Sequence, residues 1–214
     1  MRTTEPTPSR IGWRSRGYLP HFDGGADVPQ VVTFRLADSV PRAVVDQWLV
    51  ELRYRTDEER ERRVRELLDK YLDAGYGACH LRDSRIGALV ENALTHFDCA
   101  RYLLHAWVVM PNHVHALFAP CANYELADIL GGWKSYTAKR ANEILGRTGP
   151  FWQPEYYDRY VRDADHLDSA IRYIENNPVK AGLCMEQRDW PFGSARLRAD
   201  ARAAETAAVP GEKP

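Results

Sequence analysis

The residues best suited to chemistry stand in Pro111-Asn112-His113-Val114-His115-Ala116-Leu117. Side chains alternate faces along a strand, so the imidazoles of His113 and His115 share one face while Val114 takes the other. Two imidazoles so placed can chelate one metal ion, and they equally read as a hydrogen-bonded pair on a half-exposed strand. A turn directly before them sets them at a sheet rim. A third ligand and a reactive group come from Tyr173-Ile174-Glu175-Asn176-Asn177. Tyr173 and Asn177 are four positions apart, hence stacked on one helical face together with Ala170 and Ile174. The Asn177 carboxamide oxygen is a hard, neutral ligand suited to Mg²⁺ or Mn²⁺, and the Tyr173 phenol one turn earlier would lie near the same ion. Taken singly, Tyr173 also reads as a core aromatic and Asn177 as a C-terminal cap before Pro178.

These groups need a scaffold, and the hydrophobic pattern supplies one. Gln30 to Leu36 alternates as a strand, and from about Pro41 the residues Val44, Val45, Trp48, Leu49 and Leu52 recur at helical spacing. Thr56 to Leu72 is highly charged yet helix-favouring and reads as a solvated helix face. Gly75 and Gly77 break it, and Ile86 to Phe97 resumes a helical period. Tyr102 to Met110 and Val114 to Phe118 read as a β-hairpin turning at Met110-Pro111-Asn112. A long helix fits Tyr124 to Leu145, an edge strand Tyr156 to Arg162, and a last helix Asp165 to Asn177, capped by Asp163 or Asp165 and ended by Pro178 and Gly182. Strands mixed with helices rather than strictly alternating point to an α+β fold with an antiparallel sheet in one domain spanning 30–194. Residues 1–29 read as an extended N-terminal arm docking through Trp13, Tyr18 and Phe22, and 195–214 as a flexible C-terminal tail.

Composition narrows the class. The chain has 214 residues, with 29 Lys and Arg against 30 Asp and Glu, 44% hydrophobic and 28% charged, which suits a folded globule rather than a disordered tail or a fibrous repeat. Its longest apolar runs, Ala106 to Pro111 and Ala116 to Pro120, are far short of the roughly 20 residues that span a bilayer. The polar, proline-punctuated start lacks the apolar core of an export signal, and Cys79, Cys99, Cys121 and Cys184 form no CxxC pair. A cytoplasmic protein with reduced thiols and no membrane partner is expected. A net charge of −1 removes the global argument for nucleic acid, so local charge must carry it. Lys134, Lys139, Arg140 and Arg147 interleave with Trp133, Tyr136, Phe151 and Trp152, a mix suited to phosphates and unstacked bases as well as to an ordinary amphipathic helix. Lys180, just past the last helix, could meet a phosphate or cap carbonyls.

The strings VVMPNHVHALF, GGWKSYTAKRAN, FWQPEYYDRYVRD and RYIENNPVKAGL, with RGYLPHFDG and VTFRLADS before them and WPFGS after, resemble the REP-associated tyrosine transposases, relatives of the single-tyrosine HUH transposases. The resemblance runs over about residues 10–195 and implies a ferredoxin-like HUH endonuclease fold. It implies that His113 and His115 bind a divalent cation, Mg²⁺ or Mn²⁺, with Asn177 completing the set, and that Tyr173 is the nucleophile. Tyr136, Tyr156, Tyr157 and Tyr160 have no metal-type partner four positions on and read as packing or DNA-contacting residues. The implied activity is metal-dependent cleavage and strand transfer of single-stranded DNA at REP-type palindromic hairpins, through a 5′-phosphotyrosine. Lys134, Lys139, Arg140, Trp152 and Lys180 would contact that DNA, with the active protein a monomer or a homodimer. The alternatives are a domesticated hairpin-binding regulator that does not cut and a metallohydrolase using water, the latter disfavoured because no acidic residue adjoins His113 and His115.

Overall fold

The computed structural model describes residues 12–16 and 19–208. Its centre is a four-stranded sheet of β3 (Gln30–Leu36), β4 (Tyr102–Val109), β5 (His113–Pro120) and β6 (Trp152–Tyr160), ordered β4-β5-β3-β6 with every neighbouring pair antiparallel. The expected α+β class, an antiparallel sheet with helices packed on it, is therefore the observed one. The β4–β5 hairpin turns where the sequence predicts, with Met110 N–H donating to the His113 carbonyl at 2.8 Å.

Alternation along β5 sorts the molecule into three layers. Val114, Ala116 and Phe118 face α3 (Ser84–Thr95) and α4 (Leu126–Leu145), and share a core with Phe34, Trp133 and Trp152. Each fully buried Val, Leu or Phe there contributes about 1.5–3 kcal/mol relative to exposure. The opposite face carries His113, His115 and Leu117. There α5 (Ala164–Lys180) sets Ala170 and Ile174 on Ala106, Val108 and Leu117. Beside it α1 (Arg42–Glu51) and α2 (Asp57–Asp73) bury Val45, Val64, Leu68 and Leu72 against one another and against Tyr157 of β6. The imidazole face is thus roofed by α2 and α5.

Helix ends follow local chemistry. Thr56 Oγ1 accepts from Glu59 N–H at the start of α2, Asp83 caps α3, Asp163 caps α5, and α4 stops at Gly146 in the left-handed region (φ 61°). The predicted stop at Pro178 is not observed, because α5 continues through it to Lys180. Around it Asn177 Nδ2 donates to the Tyr173 carbonyl at 2.9 Å, and the Pro178 carbonyl accepts from Leu183 N–H at 2.8 Å. The extra turn brings Lys180 onto the face that holds Tyr173 and Asn177.

The described residues that flank the central sheet and its helices carry structure that the sequence pattern does not suggest. In place of an extended arm, β1 (Gly12–Arg16) and β2 (Leu19–Asp23) pair antiparallel. Buried His21 anchors β2 through Nδ1 to Asp158 Oδ1 at 2.5 Å, and Phe22 stacks on Tyr160 at 4.8 Å, so Phe22 docks as expected. Tyr18 and the Trp13 side chain lie outside the described residues. In place of a flexible tail, α6 (Ser194–Ala208) runs from a segment that covers the β4 edge. Val109 N–H donates to the Phe192 carbonyl, Trp190 Nε1–H donates to the Val109 carbonyl, and Arg198 pairs with Glu175 and the His105 carbonyl. A side chain at Gly87 would meet Phe192 at 2.5 Å, so only glycine lets this segment close on α3. Neither anchor has a periodic signature, since each depends on single side chains meeting distant partners.

Candidate active site

His113 and His115 are buried, and their Nε2 atoms lie 3.0 Å apart. Their other ring nitrogens are held. Asn112 donates through Nδ2 to the Leu72 and Tyr76 carbonyls at 3.2 and 2.9 Å, which fixes its Oδ1 as an acceptor for His113 Nδ1–H at 2.7 Å. His113 Nε2 therefore presents a lone pair. His115 Nδ1 sits 2.7 Å from Thr33 Oγ1, a hydroxyl that can accept a ring N–H or donate to the ring nitrogen. At 3.0 Å the two Nε2 atoms can share one ring proton in a hydrogen bond, and a cation that displaces that proton would meet a lone pair on each ring.

The arrangement fits a divalent ion. Ligands about 2.1 Å from a metal and at right angles to one another are about 3 Å apart, the spacing of the two Nε2 atoms. Burial, then each ring's charged neighbours, holds both imidazoles below their ordinary range, His115 at about 3, so both are neutral as ligands must be. Asn177 Oδ1 is buried and has no hydrogen-bond partner among the described residues, an orphan acceptor of the kind a cation satisfies. No cluster of three His, Cys, Asp or Glu side chains gathers among the described residues, so a third protein ligand here would be this neutral carboxamide.

Tyr173 stands one turn before Asn177 on α5, its ring 5.8 Å from that of His115 and in the same chain. Its side chain borders the imidazole site and a cavity of about 380 Å³ lined by Arg65, Asp69, Tyr157, Arg159 and His166 among others. Tyr173 is 39% exposed, and its hydroxyl donates to Asp69 Oδ2 at 3.0 Å. Burial, then the Asp69 carboxylate, raises its phenol above the usual value near 10. Lys180 Nζ pairs with Asp73 Oδ2 at 2.7 Å and lies 5.9 Å from the Tyr173 ring. The structure thus sets Tyr173 and Lys180 beside the imidazole pair under α2, with Asn177 one turn from Tyr173 on the same helix.

The other sequence-predicted contacts lie elsewhere. Lys134 donates to the Gln153 and Pro154 carbonyls, both at 2.7 Å, and burial brings its ammonium down to about 8, so it ties α4 to β6 instead of presenting a cation. Trp152 is buried, its indole N–H on Thr137 Oγ1 at 2.9 Å, and packs on Phe34 instead of offering a stacking platform. Lys139 is exposed, as is Arg140, which pairs with Glu143 at 2.8 Å. All of these sit with the α3–α4 layer, across the sheet from the imidazoles. Among the rival tyrosines, Tyr136 is exposed on α4, Tyr156 lies against His21, and Tyr160 stacks on Phe22. Tyr157 is nearer the site than its packing role suggests. It pairs in register with Thr33, which pairs in turn with His115, and its buried hydroxyl has no partner among the described residues.

Thr33, Asn112, Asp69 and Asp73 were not singled out by sequence reasoning. For Asp69 and Asp73 a signal existed: they adjoin the apolar row Val64, Leu68 and Leu72 of α2, so they fall at the margin of its buried face.

Residues 81–177, which run from just before α3 through the hairpin to Asn177, match the family model described as "Transposase IS200 like". The chain's resemblance to REP-associated tyrosine transposases holds in comparison with individual proteins. It is 29% identical over 91 residues to the REP-associated tyrosine transposase of Escherichia coli (strain K12), an alignment covering 42% of this chain and 53% of that protein. It is 26% identical over 96 residues to a putative REP-associated tyrosine transposase of Haemophilus influenzae (strain ATCC 51907 / DSM 11121 / KW20 / Rd), covering 40% and 54% respectively. The chain thus spans about half the length of the curated relatives it matches. A solved structure of a REP-associated tyrosine transposase bound to a REP hairpin superposes over 93% of this chain and 91% of its own, with a TM-score of 0.52 and 18% identity, which shows a shared fold.

Proposed function

We propose that this protein cleaves single-stranded DNA at REP-type palindromic hairpins and transfers the cut strand, with Tyr173 as nucleophile. The observation that carries this reading is the convergence of the two imidazole Nε2 atoms, 3.0 Å apart and buried, beside a partly exposed tyrosine one turn from an orphan carboxamide oxygen. His113, His115 and Asn177 would hold a divalent cation, Mg²⁺ or Mn²⁺. Bound there, it would supply positive charge for a nonbridging phosphate oxygen and lessen the repulsion between an anionic diester and its attacker.

The chain's own residues do the rest. Asn112 fixes His113 in the tautomer that leaves its Nε2 free, and Thr33, able to accept a ring N–H, lets His115 take the same tautomer when a cation is held. α5 aligns Tyr173 with Asn177 by helical pitch, and packing of Ala170 and Ile174 on the sheet holds that alignment. Lys180 puts an ammonium beside the phenol, where a scissile phosphate would be drawn. Attack by Oη forms a 5′-phosphotyrosine and frees a 3′-hydroxyl, and because the new diester keeps the energy of the old one, a second 3′-hydroxyl can reverse the step. The cavity beside Tyr173, with Arg65 and Arg159 on its walls, offers the backbone positive charge.

The test is denaturing electrophoresis of protein incubated with Mn²⁺ and hairpin DNA labelled on the 3′ side of the cut. Wild type should carry label covalently, and Tyr173→Phe, which keeps the ring and loses only the oxygen, should carry none. Adduct persisting in Tyr173→Phe and vanishing in Tyr157→Phe would transfer the role to Tyr157. Hairpin binding without adduct under every metal tried would leave a non-cutting binder.

A further inference from the structure

We propose that Asp69 is the proton acceptor for Tyr173, taking the phenol proton as Oη attacks phosphorus and returning it when the strand is rejoined. This rests on the reading of Tyr173 as nucleophile and adds a residue that the constellation of two histidines, asparagine and tyrosine does not contain. The geometry is direct: Tyr173 Oη–H donates to Asp69 Oδ2 at 3.0 Å, within the range for proton transfer along a hydrogen bond. The contact joins residues 104 positions apart, and it exists because α2 lies over α5 on the imidazole face.

The chemistry requires such a group. Burial and the neighbouring carboxylates disfavour a free phenolate, so Tyr173 cannot wait in ionised form. Its proton must leave as the O–P bond forms, when the oxygen turns strongly acidic, and the acceptor must already be in contact. Asp69 is half-buried, and burial foremost raises its carboxyl above the ordinary carboxylate range, which makes its carboxylate a better base. The titratable and charged groups around it come from every neighbouring element: Arg65 and Asp73 on α2, Tyr173, Lys180 and His166 on α5, Arg35 on β3, and Tyr157 and Arg159 on β6. Lys180 and Arg65 oppose the burial effect on its carboxyl, and Asp73 reinforces it.

In the cleavage step the Oη–P bond forms and the P–O3′ bond breaks. The phenol proton passes to Asp69 Oδ2, and the departing 3′-oxygen becomes a hydroxyl by taking a proton from solvent water. In the joining step the bonds reverse, the attacking 3′-hydroxyl gives its proton to water, and the Asp69 carboxyl reprotonates the leaving Oη. One carboxylate therefore serves both directions, as microscopic reversibility demands.

The experiment is single-turnover adduct formation with Mn²⁺ and hairpin DNA from pH 5 to 9, for wild type, Asp69→Asn and Asp69→Glu, with hairpin binding and thermal unfolding measured alongside. Asp69→Asn keeps an oxygen to accept the Tyr173 hydrogen bond but cannot take a proton. It should bind the hairpin within about threefold of wild type, form adduct roughly 10²–10⁴-fold more slowly, and lose the acidic limb of the rate profile. Asp69→Glu should restore part of the rate and the limb, and it carries the test should Asp69→Asn fail to fold. Asp69→Asn cutting at the wild-type rate with its acidic limb intact would overturn the proposal while leaving Tyr173 as nucleophile. Absence of adduct from wild type would overturn the functional reading itself, and this assignment with it.

Discussion

Replacing His115 with Gln tests whether folding seals the imidazole pair from water, and the consequence can be worked as a function of pH. An unperturbed histidine titrates near 6.5, whereas burial, followed by repulsion from the Lys180 ammonium, brings His115 down to about 3 in the folded protein. Between these values the unfolded chain holds a proton that the native state does not, so stability increases with pH through the window and is lost as pH falls below 6.5. One unit is worth about 1.36 kcal/mol, and pH 5 lies a unit and a half below the unfolded value, so acidifying from pH 7 costs about 2 kcal/mol through this side chain alone. Urea unfolding of chelator-treated wild type and His115→Gln at pH 7 and pH 5 measures it, because the remaining titrating groups are common to both proteins. Wild type should lose about 2 kcal/mol more than the variant. Equal losses would mean that His115 titrates as it does in water, which is incompatible with an Nε2 sealed 3.0 Å from that of His113. Mn²⁺ at a hundredfold over its dissociation constant should stabilise wild type by about 2.7 kcal/mol at pH 7, and the variant should lose most of that gain.

Asn112→Ala removes three hydrogen bonds, to Leu72, Tyr76 and His113, two of them buried, and at about 1 kcal/mol each should cost about 3 kcal/mol in urea unfolding while weakening metal-induced stabilisation. Lys134→Ala should lower stability by about 1–2 kcal/mol without changing the salt dependence of hairpin binding, since its ammonium is engaged by carbonyls. Lys139→Ala with Arg140→Ala should instead leave stability within about 0.5 kcal/mol, and it should flatten the salt slope if the α4 face meets DNA; an unchanged slope would place the DNA wholly on the α5 face.

What the sequence alone determined was whatever depends on spacing within one element. The alternation of His113 and His115, the four-residue interval from Tyr173 to Asn177, the hairpin at Met110-Pro111-Asn112 and the antiparallel α+β class all follow from the periods of strand and helix. What only the tertiary structure decided depends on which surfaces meet. Sequence pattern could not show that the charged helix Asp57–Asp73 turns Asp69 and Asp73 toward Tyr173 and Lys180, because a carboxylate at the margin of an apolar stripe looks like any solvated one until another helix covers it. The same limit hid the structural use of Lys134 and Trp152, whose basic and aromatic types suit DNA as readily as the carbonyls and the Thr137 hydroxyl they contact. It hid the paired strands Gly12–Arg16 and Leu19–Asp23 and the helix Ser194–Ala208, which are held by isolated long-range contacts such as His21 with Asp158 and Arg198 with Glu175. Periodicity reports the face an element must bury, and only the assembled layers fix what that face is buried against.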